Sequence, residues 1–150
     1  MPKLFVAANY SYMAYVLDGG GSGYSPVPPG HISIEVEYIA VMYALNEYFL
    51  KWNKELDSRQ DNLDRETGEF YRVATPAQQT PRPLPPPVLV CVENEVVVKR
   101  LRQEYRIVNP ELMRLAQQIW QMTQNVQVKF EWISREQNPA RKMLPQGGDR

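Results

Sequence analysis

The segment Val88-Leu89-Val90-Cys91-Val92-Glu93-Asn94 decides how the rest of the chain is read. Its five apolar, mostly β-branched residues show no alternation, so a strand built from them is buried on both faces. The run stops at Glu93-Asn94, and a helical pattern follows from about Glu95 to Tyr105. A doubly buried strand that feeds a helix belongs to a layered α/β domain with parallel pairing.

Towards the N-terminus, Lys3 to Ala8 and Tyr12 to Leu17 are short β-prone runs separated by the turn residues Asn9-Tyr10-Ser11. So short a link predicts antiparallel pairing. Gly19-Gly20-Gly21-Ser22-Gly23 then breaks the chain, and Pro26, Pro28, Pro29 and Gly30 keep it irregular. The glycine run reads as a loop: it lacks the Gly-Lys-Ser/Thr ending that cradles phosphates. Ser33 is a credible helix cap. Val36, Ile39, Ala40, Tyr43, Ala44 and Phe49 recur at helical spacing, so a helix is predicted from Ser33 to about Lys54. Glu35 and Glu37 fall in its first turns, where the helix dipole by itself favours acids.

Residues 51–87 form a charged, proline-rich excursion. Thr67-Gly68 followed by Phe70 to Val73 is a candidate hairpin. Six prolines crowd between Pro76 and Pro87, as in a stiff connector or a polyproline ligand. Beyond the second helix-like segment, Asn109-Pro110-Glu111 opens another helix with Asn at its cap. Its stripe of Leu112, Leu115, Ala116, Ile119 and Trp120 reads as core. Val126 to Ile133 alternates apolar and polar residues like a half-buried strand, and Asn138-Pro139-Ala140 starts a short helix that fades after Leu144. The expected architecture is one α/β domain, residues 1–145, with a mixed sheet of five strands, or four, flanked by helices. Residues 146–150 read as a frayed tail.

Composition narrows the function. The chain has 150 residues and 17 basic against 17 acidic side chains, a net charge of zero that argues against binding nucleic acid by bulk charge alone. The balance is uneven, with residues 1–75 carrying six basic and ten acidic groups and residues 76–150 eleven and seven. One cysteine, Cys91, and one histidine, His31, exclude an internal disulfide and a Cys/His metal cluster. His31 reads as a loop residue. No apolar stretch is long enough to span a bilayer, and no leader-like segment is seen, so a cytoplasmic protein is expected.

Four segments in this order resemble the ribonuclease H family. They are Leu4 to Ser11, Ser33 to Ala40, Val90 to Val97, and Trp132 to Asn138 followed by Ala140 to Leu144. The resemblance implies a ribonuclease H-like sheet and cleavage of RNA in RNA–DNA hybrids. It also implies four converging carboxylates that hold two divalent ions, Mg or Mn. The matching positions are Asn9, Glu37, Glu93 and Lys142, of which Glu37 and Glu93 keep acids capable of weak metal binding. Asn9 and Lys142 do not, which leaves a net charge of −1 in place of −4. Asp18 is the candidate substitute. An ammonium at Lys142 would replace a metal by neutralising the two glutamates.

The expectation is a domain that has lost conventional hydrolysis, needs no cofactor and retains nucleic-acid binding. The ligand would be an RNA–DNA hybrid or structured RNA, held through Lys99, Arg100, Arg102 and Arg106. A basic helix face is equally a solvated one. A protein-interaction module that uses the 51–87 excursion, and an active nuclease with an unusual site, are the alternatives.

Overall fold

A computed structural model describes residues 1–67 and 84–145, with side chains through residue 56 in the first of these stretches. The strands are β1 (Lys3–Ala8), β2 (Tyr12–Leu17), β3 (Ser22–Pro26), β4 (Val88–Val92) and β5 (Val128–Trp132). The helices are α1 (Ser33–Thr67), α2 (Glu95–Leu101) and α3 (Pro110–Met122). Two short 3-10 turns, Arg135–Gln137 and Pro139–Met143, complete the described chain.

The sheet order is β3-β2-β1-β4-β5. β1 pairs antiparallel with β2, from Leu4 opposite Leu17 to Ala8 opposite Met13, and parallel with β4, from Lys3 opposite Leu89 to Val6 opposite Val92. β5 runs parallel to β4. This is the mixed five-stranded sheet. Leu4, Val6, Val88, Val90 and Val92 are buried against Val41, Ala44 and Leu45 of α1 and Leu115 and Ile119 of α3.

The fifth strand corrects the reading of the glycine run. Gly19 and Gly21 take φ of +86° and +91° and turn the chain, after which Ser22–Pro26 pairs with β2 as an edge strand. Its small and polar residues carry no apolar signal: one face is exposed, and the other is only partly buried, through Gly23 and Ser25. Pro26 is tolerated at the strand end. Lys51 closes over the turn, its Nζ 2.8 Å from where a Cβ would stand on Gly20 or Gly21.

α1 continues to Thr67, well past Lys54. Residues 55–67 lose the apolar period in the sequence but keep several good helix formers, so periodicity alone does not mark them as helical. α2 stops at Leu101, short of Tyr105, because Gln103 turns the chain at φ +63°. The hairpin at 68–73, most of the proline run and the 146–150 tail lie outside the described residues.

Asn138 fastens the last segment to the sheet. Buried at 2% exposure, it donates from Nδ2 to the Val6 carbonyl (2.8 Å) and accepts the Ala140 N–H at Oδ1 (3.1 Å). Asn138→Ala strands the Val6 carbonyl and removes the cap. A loss of about 2–3 kcal/mol in urea denaturation is expected, with the m-value unchanged.

Candidate functional site

The parallel register sets β1 and β4 side by side, so their C-terminal ends open at the same edge of the sheet. Asn9 leaves β1 there and Glu93 leaves β4. The first turns of α1 bring Glu37 over the same edge. The Arg135–Gln137 and Pro139–Met143 turns, held by Asn138, bring Arg135 and Arg141 from the other side. Together they line a cleft of about 570 Å³ that also takes in Tyr10, His31, Asn94, Glu95 and Trp132.

Asn9 folds its side chain onto its own turn. Oδ1 accepts the Ser11 N–H at 2.9 Å and the Tyr12 N–H at 2.7 Å, an arrangement that Asn favours after a strand. With the oxygen committed, the amide Nδ2 is turned elsewhere, buried and without a hydrogen-bond partner. Glu93 meets Arg141. The Arg141 Nε donates to Oε1 at 3.1 Å and a second guanidinium nitrogen to Oε2, a two-point pair whose side chains are 17% (Arg141) and 10% (Glu93) exposed. Glu37 is the acid left in the hollow. Burial, and then the neighbouring Glu93, push its pKa from 4.5 up to about 7, against the opposing pull of Arg141 and Arg135.

Asn9, Glu37 and Glu93 all line this cleft, but Lys142 is not among its residues. It is exposed, and the cation in the cleft is its neighbour Arg141. The reason is local. An α-helix opened at Asn138 returns to the same face four residues on, at Lys142. The 3-10 turn formed here returns after three, at Arg141. Asp18 is also excluded as a substitute: its N–H bonds to the Lys3 carbonyl, at the opposite end of β1. Six strand residues separate that end from Asn9, roughly 20 Å. His31 lines the cleft from the β3–α1 loop, with Nδ1 3.0 Å from Glu35 Oε1.

Of the four basic residues expected to grip a nucleic-acid backbone, Lys99 and Arg102 are paired within their own surface, as is Arg114 of α3. Lys99 lies 3.5 Å from Glu95 and 3.2 Å from the Tyr105 hydroxyl, Arg102 lies 2.9 Å from Glu104, and Arg114 bonds Glu111. Arg100 is half-buried and Arg106 exposed. Sequence reasoning passed over Trp132 and Tyr10 as site residues, since one reads as strand and the other as turn.

The donor set does not fit a two-ion centre. A pair of hard divalent ions needs several anionic oxygens. Here both oxygens of Glu93 are engaged by a guanidinium, and Asn9 turns its amide hydrogens rather than an acid away from its turn. Among the described residues, no group of three or more His, Cys, Asp or Glu side chains is placed to hold a metal.

Comparison with known proteins agrees with this architecture. Residues 85–145 match the family described as reverse transcriptase-like. Ribonuclease H1 from the halophilic archaeon Halobacterium salinarum superposes with a TM-score of 0.58 at 13% identity, over 93% of this chain and 88% of that one. LC11 ribonuclease H1, solved in complex with an RNA/DNA hybrid, gives 0.57 at 14% identity, over 95% and 91%. The N-terminal ribonuclease H domain of a Mycobacterium tuberculosis protein, solved as a fusion with maltose binding protein, gives 0.57 at 15%, over 95% and 88%. No curated protein matches. By fold, the chain is ribonuclease H-like. No helix among the described residues is long and apolar enough to cross a membrane.

Proposed function

We propose that this chain is a nucleic-acid-binding ribonuclease H-like domain that has given up two-metal hydrolysis. The observation that carries the reading is the occupant of the cleft. Where the family resemblance implies acids gathered around cations, this chain sets Arg141 on Glu93 and an amide at Asn9. The guanidinium supplies from within the chain the positive charge that keeps Glu37 and Glu93 together. A solved relative in complex with an RNA/DNA hybrid supports nucleic acid as the ligand class. A cytoplasmic setting belongs to this reading.

Two measurements test it. Fluorescence anisotropy with an RNA–DNA hybrid, duplex RNA and single strands should show salt-sensitive binding to at least one of them. Its absence from all of them ends the reading. Mn²⁺ titrated against melting temperature should leave the wild-type chain unmoved, because its donor set is incomplete. The double variant Asn9→Asp/Arg141→Asp, which restores four converging acids, should gain a Mn²⁺-dependent rise. A wild-type response as large as the variant's, or hybrid cleavage by wild type that Glu37→Gln abolishes, would establish the active enzyme instead.

A further inference from the structure

Several features of the cleft bear on what part of a nucleic acid it accepts. Its charges nearly cancel, with Glu37, Glu93 and Glu95 set against Arg135 and Arg141. A phosphate backbone gains little from such a balance, and the nearby cations Lys99, Arg102 and Arg114 already face acids of their own surface. The cleft is better equipped for a flat polar ring. Trp132 is half-exposed, at 50%, yet its indole N–H donates to the Glu93 carbonyl at 2.9 Å, which fixes the ring at the end of β5. An aromatic plane held in this way is a preorganised stacking surface. Tyr10, 76% exposed on the β1–β2 turn, adds a second aromatic to the lining. Between them lie the mixed donors and acceptors that base edges require. They include the carboxyl group of Glu37 and the guanidinium groups of Arg135 and Arg141.

We infer that the cleft receives one unpaired nucleobase of a single strand, stacked on Trp132, with its polar edge towards Glu37. This rests on the nucleic-acid reading above and names the form of the ligand: an unpaired strand rather than a hybrid duplex. In a duplex each base is stacked and paired, and its face is not offered to a protein ring. The cleft volume of about 570 Å³ suits a single nucleotide unit.

The test compares wild type, Trp132→Ala and Trp132→Phe by anisotropy. The probes are short homopolymeric RNA and DNA strands and a hybrid of the same length, with nucleoside monophosphates as competitors. Wild type should prefer single strands. Trp132→Ala should weaken strand binding roughly tenfold or more, the effect of losing one base stack, while hybrid binding changes little. Trp132→Phe, which keeps a ring face without the N–H, should stay within a few-fold of wild type. Unchanged strand binding by Trp132→Ala, an equal loss on hybrid, or competition by free nucleotides as strong as that of strands overturns this inference. Each of those outcomes leaves nucleic-acid binding itself intact.

Discussion

Arg141→Ala should be among the most damaging single substitutions in the domain, costing about 3–5 kcal/mol. The pair it breaks is mostly withdrawn from water, with Arg141 17% and Glu93 10% exposed, so the effect is not the small one expected of a surface ion pair. Removing the guanidinium leaves Glu93 desolvated without its counter-charge and strengthens its repulsion of Glu37. For a chain of this size that loss lowers the melting temperature by about 10 °C. Arg141→Lys should recover only part of it, because an ammonium cannot bond both carboxylate oxygens in a plane. The double variant Glu93→Gln/Arg141→Gln should lose less than Arg141→Ala, since it leaves no unpaired charge behind. An Arg141→Ala cost below about 1 kcal/mol would place the pair among weak solvent-screened contacts.

Glu37→Gln should stabilise the protein at alkaline pH. The Glu37 carboxyl titrates at about 7 in the folded chain, against an ordinary value of 4.5. Between these two values the folded state holds a proton that the unfolded state has released. The contribution of Glu37 to stability is therefore full below the unfolded value, declines as pH rises, and is gone above the folded value. The span amounts to roughly 3 kcal/mol. Glutamine keeps the shape and does not titrate. At pH 8 Glu37→Gln should exceed wild type by up to that amount, and near pH 4 the two should converge. Urea titrations of both proteins across this range measure the difference directly. A difference that stays constant from pH 4 to pH 8 would show that Glu37 titrates normally.

The parts of the fold that were legible beforehand are those with a local signature. Val88 to Val92 shows its burial in an unbroken apolar run, and the Asn109-Pro110 cap marks the start of α3 from its own two residues. β3 was not legible, because an edge strand of Ser, Gly and Tyr carries no apolar pattern, and a glycine run reads first as a loop. The far half of α1 was not legible either. Residues 55–67 carry no apolar period in the sequence, so no amphipathic pattern marks them as helical.

The site divides along the same line. Asn9, Glu37 and Glu93 were singled out by the ribonuclease H resemblance; short-range chemistry marks only that each sits at an element end, as a turn residue, a first-turn acid and the end of an apolar run. Their meeting across the gap from residue 9 to residue 93, and the choice of Arg141 over Lys142 as the cation beside them, had no such mark. That choice depends on a 3-10 turn and on one buried hydrogen bond from Asn138 to the Val6 carbonyl, 132 residues away. Backbone propensities act over a few residues and set where strands and helices begin. Which side chains then share a desolvated cleft, and so which charges neutralise one another, is a property of long-range packing and appears only when the chain has closed on itself.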